Sequence, residues 1–331
     1  MPKSLVTGGA GFIGAHLAKA LVERGHEVVV LDDLSGGFTD NVDDRAKFSE
    51  GSITDFELIN DLFAAEKFDY VYHLAAYAAE GLSHFIKRFN YNNNVVGTVN
   101  LINAAVNHEV KCFVFTSSIA VYGAGQVPMT EDLRPEPEDS YGIAKFSVER
   151  ELAVTHEMFG LDYVIFRPHN VYGELQNIGD KYRNVIGIFI NQIMQGQPLS
   201  IFGDGEQTRA FSHVDDVVPA IADSPWTGGA IGEIFNVGAD VPYTVNHLAD
   251  VVRKAMGVPE HPILHHPARN EVKHAFSDHS KVQRVFGLPK ATDLETGVGR
   301  MVEWATAHGP RKTAKFSNIE ILRNLPPSWL E

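Results

Sequence analysis

Along the first half of the chain, short apolar runs alternate with longer stretches whose apolar residues recur every three or four positions. Ser4–Thr7, Glu27–Leu31, Ala46–Glu50, Tyr70–Leu74, Cys112–Thr116 and Tyr163–Arg167 read as six strands. Most are continuous apolar runs, the pattern of strands covered on both faces. Between the first two, Phe12–Arg24 carries Ile13, Leu17, Ala20 and Leu21 at helical spacing and ends at Gly25, a C-terminal cap. Strands alternating with amphipathic helices form right-handed βαβ units. The expected class is therefore α/β, a doubly wound parallel sheet.

After Pro168 the alternation becomes less regular, with more Gly, Asn and Pro, and this predicts a smaller, mixed α/β lobe. A strand-like Gly232–Val237 and helical stretches at Val245–Met256 and Ser280–Phe286 indicate that the chain re-enters the first lobe. The expected division is a first domain over 1–167 with returns near 212–240, a second lobe from 168–211 and 241–310, and a tail over 311–331. The tail, with Pro326-Pro327 and little periodicity, reads as a surface arm or a locally disordered segment.

Composition narrows the possibilities. A formal net charge of −14 leaves no basic excess for non-specific nucleic-acid binding. Cys112 is the one cysteine, so no intramolecular disulfide forms and a reducing compartment fits. No run approaches the roughly 18–20 apolar residues of a membrane span, and no export signal follows Met1. The expected site of action is the cytoplasm.

The chemistry begins at Thr7-Gly-Gly-Ala-Gly-Phe-Ile-Gly14, between the first strand and the first helix. Glycines there allow a tight turn and close approach of a pyrophosphate to the exposed N–H groups of the helix. The second strand ends at Asp32-Asp33, eighteen residues after Gly14. A carboxylate at that point accepts hydrogen bonds from an adenosine ribose diol and repels a 2′-phosphate. The fold is thus Rossmann-type and the cofactor NAD, with Asp32 the preferred ligand because it directly follows Leu31. Metal ligation is not called for.

Further along, Ser140-Tyr-Gly-Ile-Ala-Lys-Phe-Ser147 places Tyr141 and Lys145 one helical turn apart on one face, where an ammonium favours a phenolate. Thr116-Ser-Ser118 ends a strand, at the edge where open α/β sheets bind ligands. Alone, the serines read as a strand-end turn. Together with Tyr141 and Lys145 they read as a proton-transfer set.

The chain resembles the extended short-chain dehydrogenase/reductases, and within them the UDP-glucose 4-epimerases, over roughly Ser4 to Asp278. The resemblance rests on Gly8, Gly11 and Gly14, Asp32, His73-Leu-Ala-Ala76, Asn94, the Ser118/Tyr141/Lys145 set and Arg167-Pro-His-Asn170. It implies a cofactor surface of Gly8, Gly11, Phe12, Ile13, Gly14, Asp32, Asp33, Ser52, Ile53, Leu74, Ala75, Ala76, Asn94, Ser117, Tyr141, Lys145 and Pro168. Read alone, His73 is a satisfied core histidine. On the substrate side it implies Ser118, Asn170, Asn184, Val185, Phe202, Arg209 and Arg269, with the two arginines on a diphosphate and Phe202 beside the base.

Two departures matter. The family's 4,6-dehydratases follow the serine position with an Asp-Glu pair, and the related decarboxylases keep a Glu; this chain has Ile119 and Ala120, so dehydration lacks its general acid. Ser52 replaces an Asp that many relatives carry beside the adenine. The implied activity is NAD-dependent 4-epimerisation of a UDP-hexose. Rival readings are epimerisation of a UDP-uronic or UDP-N-acetylated sugar, or a non-catalytic NAD-bound regulator. The resemblance also implies a homodimer through helices beginning near Tyr91 and Tyr141, for which Val95, Val99, Ile102 and Val106 offer a seam or, equally, a face toward the sheet. Alignment puts Ala275 at a pocket position that governs acceptance of N-acetylated sugars, although a one-residue gap leaves Phe276 as the alternative.

Overall fold

The computed structural model describes residues 1–180, 182, 184–268, 272–312, 316 and 318–326. In the first half lie β1 (Lys3–Thr7), α1 (Phe12–Glu23), β2 (Glu27–Asp32), β3 (Lys47–Glu50), α2 (Phe56–Glu66), β4 (Tyr70–His73), α3 (Glu80–Ser83), α4 (Lys87–Tyr91), α5 (Gly97–Asn107), β5 (Cys112–Thr116), α6 (Ser140–Phe159) and β6 (Asp162–Pro168). The second half has β7 (Val171–Tyr172), α7 (Val185–Met194), β8 (Leu199–Phe202), β9 (Thr208–Ala210), β10 (Ser212–His213), α8 (Val214–Asp223) and β11 (Ile234–Val237). It continues with β12 (Pro242–Thr244), α9 (Val245–Ala255), β13 (Ile263–His266), β14 (His274–Ala275), α10 (Ser280–Phe286) and α11 (Leu294–His308).

Seven strands form one parallel sheet in the order β11-β6-β5-β4-β1-β2-β3. Chain direction across the sheet reverses between β1 and β4, and such switch points open a crevice at the carboxyl ends of the strands. Residues alternate between faces as a period of two requires. Val6, Val30, Val114 and Phe166 pack with Leu17 and Leu21 of α1 and Val217 and Ile221 of α8. Leu5, Val29, Phe113 and Ile165 pack with Phe63 of α2, Leu101 of α5 and Leu152 of α6. The seventh strand, β11, arrives from the second half, and α8 and α10 cover the sheet beside it. A third cluster joins α7, α9, α11 and β8 through Phe189, Ile190, Leu199, Leu248 and Met301.

The helix near Tyr91 is not uniform. Asn92–Val96 forms a π-helical segment between α4 and α5, a local widening that often marks a functional site. Of the proposed seam, Ile102 is buried in the sheet-facing cluster and Val106 packs against it, while Val95 and Val99 are half-buried. The exposed apolar residues on these helices are Val96, Ile143, Val154, Met158 and Phe159. Among the described residues, no helix is long and apolar enough to cross a membrane.

Candidate functional site

The crevice begins at the end of β1. Gly8 has φ +70°, and a Cβ there would lie 2.7 Å from the Ala75 nitrogen; one at Gly14 would lie 2.1 Å from the Gly8 carbonyl oxygen. Both neighbours are backbone, so glycine alone allows the turn to close this tightly. Helix α1 then starts at Gly11 with no side-chain cap and no acid in its first turn. By contrast, Asp55, Asp139, Thr244 and Asp293 cap α2, α6, α9 and α11. The uncapped N–H groups of α1 are a slot for an anion. Phe12 and Ile13 are half-buried beside it.

At the end of β2 the Asp32 carboxylate accepts from Ala10 N–H at 3.1 Å and Leu34 N–H at 2.8 Å. Each bond uses one lone pair of one oxygen, which leaves an acceptor site on each for a ribose diol. Burial raises its pKa, opposed by the Leu34 and Ala10 N–H groups. Asp33 is exposed and accepts from its own turn, at Ser35 N–H. Ser52 bonds Thr54 within its turn, and Ile53 is buried against Gly97. The residues present fit NAD.

The segment after β4 is held from below. Thr7 Oγ1 accepts the Leu74 and Ala75 N–H groups, each at 3.2 Å, and bonds His73 Nδ1 at 2.7 Å. His73 Nε2 bonds Thr98 Oγ1 at 2.8 Å. Burial holds this ring well below its ordinary pKa, so it is a neutral, satisfied core histidine. Ala76 leads into Tyr77, whose N–H donates to Asn94 Oδ1 at 2.9 Å and whose carbonyl accepts from Asn94 Nδ2 at 3.2 Å. Asn94, inside the π segment, therefore pins the loop that carries Leu74, Ala75 and Ala76.

Asp139 caps α6 at Gly142 N–H, and Ser83 Oγ accepts the Tyr141 N–H at 3.2 Å. A Cβ on Gly142 would meet the Ala120 carbonyl oxygen at 2.5 Å, so α6 lies directly against the turn that follows Ser118. Tyr141, Lys145 and Ser118 are all buried. Lys145 Nζ donates to the Thr116 carbonyl at 2.7 Å and sits 5.8 Å from the Tyr141 ring centroid. Burial pushes its pKa down to about 7, with Glu149 pulling the other way. Ser118 Oγ accepts from Ala120 N–H at 3.1 Å, which keeps its own proton available as a donor.

Ser117 points elsewhere: its Oγ donates to Glu149 Oε1 at 2.5 Å. Glu149 is also clasped by Arg167 through Nε at 2.9 Å and through Nη2, and the Arg167 guanidinium lies 4.7 Å from the Tyr122 ring centroid. This buried pair ties α6 to β5 and β6. Glu149 stands one turn beyond Lys145, and the continuing Tyr141/Lys145/Glu149 spacing is the signal that would have found it.

Across the crevice, Pro168 ends β6 and Asn170 follows with φ +40°, a conformation asparagine tolerates. Asn170 Nδ2 donates to the Ala210 carbonyl at 3.1 Å. Asn184 caps α7 at Ile186 N–H and donates to the Val171 carbonyl, with Val185 opening the helix. Phe202 stacks on His266, centroids 5.0 Å apart. Arg209 donates to the Thr208, Lys273 and Val272 carbonyls, bracing β9 against the strand that carries Ala275. Ala275 packs with Ile119, Tyr122 and Met129, and Phe276 lines a cavity with Pro128 and Asp240. Arg269 lies outside the described residues.

The NAD dependent epimerase/dehydratase family model matches residues 4–238. A UDP-glucose 4-epimerase of Mycolicibacterium smegmatis is 35% identical over 309 residues, covering 91% of this chain and 98% of that protein. A crystal structure of UDP-glucose 4-epimerase from Thermotoga maritima with UDP-glucose superposes with TM-score 0.86 at 34% identity, covering 91% and 98% of the two chains. UDP-glucuronic acid 4-epimerase from Bacillus cereus, in complex with UDP-glucuronic acid and NAD, gives TM-score 0.82 at 29% identity, covering 91% and 98%. The sheet order, the glycine turn and these matches agree, and the chain belongs to the NAD-dependent epimerase/dehydratase family, with NAD as its cofactor.

Proposed function

We propose that this protein is a UDP-hexose 4-epimerase of the UDP-glucose/UDP-galactose type. The observation that carries the reading is Tyr141, Lys145 and Ser118 gathered at one strand end, with the apolar Ile119 and Ala120 where a dehydratase needs an acid. NAD, when bound, takes a hydride from the sugar and gives it back. Tyr141, as phenolate, removes the proton of the sugar 4-hydroxyl. Lys145, one turn away, favours that phenolate electrostatically, and its hold on the Thr116 carbonyl fixes its place. Ser118 donates a hydrogen bond to the same sugar oxygen. The 4-keto sugar turns over between the two hydride transfers and Tyr141 returns the proton, so no net oxidation occurs. Asn170, Asn184, Val185, Phe202, Arg209 and Arg269 keep the nucleotide part in place.

We place the enzyme in the cytoplasm as a homodimer, associating through Val96 and the exposed apolar residues of α6. A monomer by sedimentation at micromolar concentration excludes the dimer. The decisive experiment is incubation of the purified protein with UDP-glucose, UDP-galactose, UDP-glucuronate and UDP-N-acetylglucosamine, followed by chromatography of the products. Interconversion of the first two is expected. Turnover of UDP-glucuronate alone would replace the reading with its uronic-acid variant, and bound NAD with no turnover on any of them would point to a non-catalytic regulator.

A further inference from the structure

Between Pro168 and Asn170 stands a buried histidine that neither the hydride nor the proton transfer uses. The His169 ring stacks on that of His279, with centroids 5.1 Å apart. Its Nε2 lies 3.0 Å from His279 Nε2, and its Nδ1 lies 3.1 Å from the Ala210 carbonyl oxygen. His279 Nδ1 in turn meets Asp240 Oδ1 at 2.6 Å, and His279 Nε2 also has Ser277 Oγ at 3.1 Å. His279 precedes α10 but caps none of its N–H groups; its side chain is buried against His169 instead.

The donors and acceptors along this row fix its charge. A carbonyl only accepts, so His169 Nδ1 carries a proton. Burial, and next the charge of His279, push the His169 pKa down to about 3, so its Nε2 is a bare lone pair that accepts from His279 Nε2. The hydrogen bond from His279 holds Asp240 below the usual carboxylate range, so His279 Nδ1 donates as well. His279 is thus an imidazolium between a carboxylate and a neutral imidazole. Without its Nε2 proton, two ring lone pairs face each other. The Ser277 hydroxyl can then turn to donate to His279, while His169 Nε2 is left without a donor.

The two ends of the link are held differently. On the His279 side, the Met129 N–H donates to the Phe276 carbonyl at 2.9 Å and the Met129 carbonyl accepts the Asp278 N–H at 2.8 Å. The same carbonyl accepts from Asn236 Nδ2 of β11 at 3.1 Å, so this end is anchored. The His169 end belongs to the crevice. The Ala210 carbonyl that takes its Nδ1–H also takes the Asn170 amide at 3.1 Å, and Arg209 is the preceding residue of β9. The other charged groups about His279 are engaged elsewhere. From α8, Asp215 pairs with Arg300 and Asp216 accepts from Thr292. Asp278 accepts from Ser280, and Lys281 of α10 pairs with Glu233. Asp240 is exposed, which gives the buried ring a route for proton exchange with solvent.

We propose that His279 is a positioning residue for the substrate side of the crevice. With both ring nitrogens protonated it holds His169, and through it the Asn170 turn and the Ala210 end of β9; loss of the Nε2 proton releases them. The inference rests on the reading of Asn170 and Arg209 as UDP-sugar contacts, so its first test contains no sugar.

That test uses NAD-loaded, full-length protein labelled with 15N at histidine and asparagine and titrated with base. At the acidic end His279 should show two protonated ring nitrogens and His169 the Nδ1–H tautomer. The Asn170 side-chain amide should shift with the same midpoint as His279, and in Asp240→Asn both should move together to lower pH, because the carboxylate that favours the charged ring is gone. With UDP-glucose, KM should rise roughly tenfold across the His279 titration, apart from any change in kcat. His279→Gln, whose amide puts an uncharged donor where Nε2 stands, should keep the low KM at every pH, and His279→Leu should show the high KM throughout. A singly protonated His279 at the acidic end, or an Asn170 amide indifferent to its titration, overturns the proposal whatever sugar the protein takes. So does a KM rise that persists in His279→Gln. If no variant turns over UDP-glucose while Asn170 still follows His279, the link stands and the sugar assignment falls.

Discussion

Around the glycine turn the geometry is enforced by backbone against backbone. Gly8 abuts Ala75, Gly14 abuts Gly8, Gly142 abuts Ala120, and Ser118, Tyr141 and Lys145 are buried. Across the crevice the functional candidates sit on short strands and loops and are braced by side-chain to backbone bonds, Arg209 to three carbonyls and Asn184 to Val171. The first region tolerates almost no substitution without moving its neighbours. The second can change side chains while keeping its path. Reaction type should therefore reside in the first region and substrate choice in the second.

The largest test of that division is Tyr141→Phe. Loss of the phenolic oxygen removes the proton acceptor and little packing, so turnover should fall by roughly 10²–10⁴ while NAD stays bound. Near-normal epimerisation in a holoprotein of unchanged NAD content would move the base elsewhere.

Lys145 tests how tightly the first region is sealed. Its folded-state pKa, about 7, lies below the ordinary lysine value of 10.5 because of burial. Between these values the unfolded chain carries a proton that the folded one does not, so stability rises with pH across that window and is lost as pH falls toward 7. NAD-free wild type should gain roughly 2 kcal/mol in denaturant unfolding between pH 7 and pH 9 from this group. Lys145→Met should lose that increment, as seen by comparing the two pH series. Equal slopes would mean that the ammonium is solvated.

Legibility in the sequence follows the same divide. The glycine turn, the i,i+4 pair on α6 and the alternation of β1 to β6 are local patterns, and they read directly. The Ser117 hydroxyl meets Glu149, 32 residues away, a contact no local pattern announces because a strand-end side chain points to whichever face the pleat dictates. The Asn94 amide clamps Tyr77 across 17 residues, and the π segment that aims it has no short-range signature. The tail showed only low periodicity. Its anchors are Phe38, Tyr77 and the α4 N-terminus, more than 200 residues earlier in the chain, and no local pattern announces such contacts.

In the second region, Arg209→Leu should leave NAD binding intact and lower kcat/KM for a UDP-sugar by roughly ten- to a hundredfold, chiefly through KM, as expected for loss of a charge-assisted contact to a phosphate. A kcat defect with unchanged KM would show instead that bracing of β9 is what the guanidinium contributes.

The smallest expected effect bears most directly on substrate choice. Ala275 pairs in register with Arg209, and its methyl group packs on Ile119 and Tyr122, in the turn that follows Ser118. It thus touches the elements that carry both Arg209, the proposed diphosphate anchor, and Ser118, the proposed hydrogen-bond donor to the sugar. Phe276, one residue on, lines a cavity with Pro128 and Asp240. By the family resemblance a small residue at 275 admits a 2-acetamido group, and on that reading wild type should epimerise UDP-N-acetylglucosamine alongside UDP-glucose. Ala275→Tyr adds a ring that must either enter the sugar pocket or displace Ile119. Entry into the pocket should lower kcat/KM for the acetylated sugar roughly tenfold relative to UDP-glucose, the scale of discrimination that steric fit supplies. Displacement of Ile119 would disturb Ser118 and depress both substrates together, so an unchanged ratio with both rates reduced would assign Ala275 to packing and not to specificity.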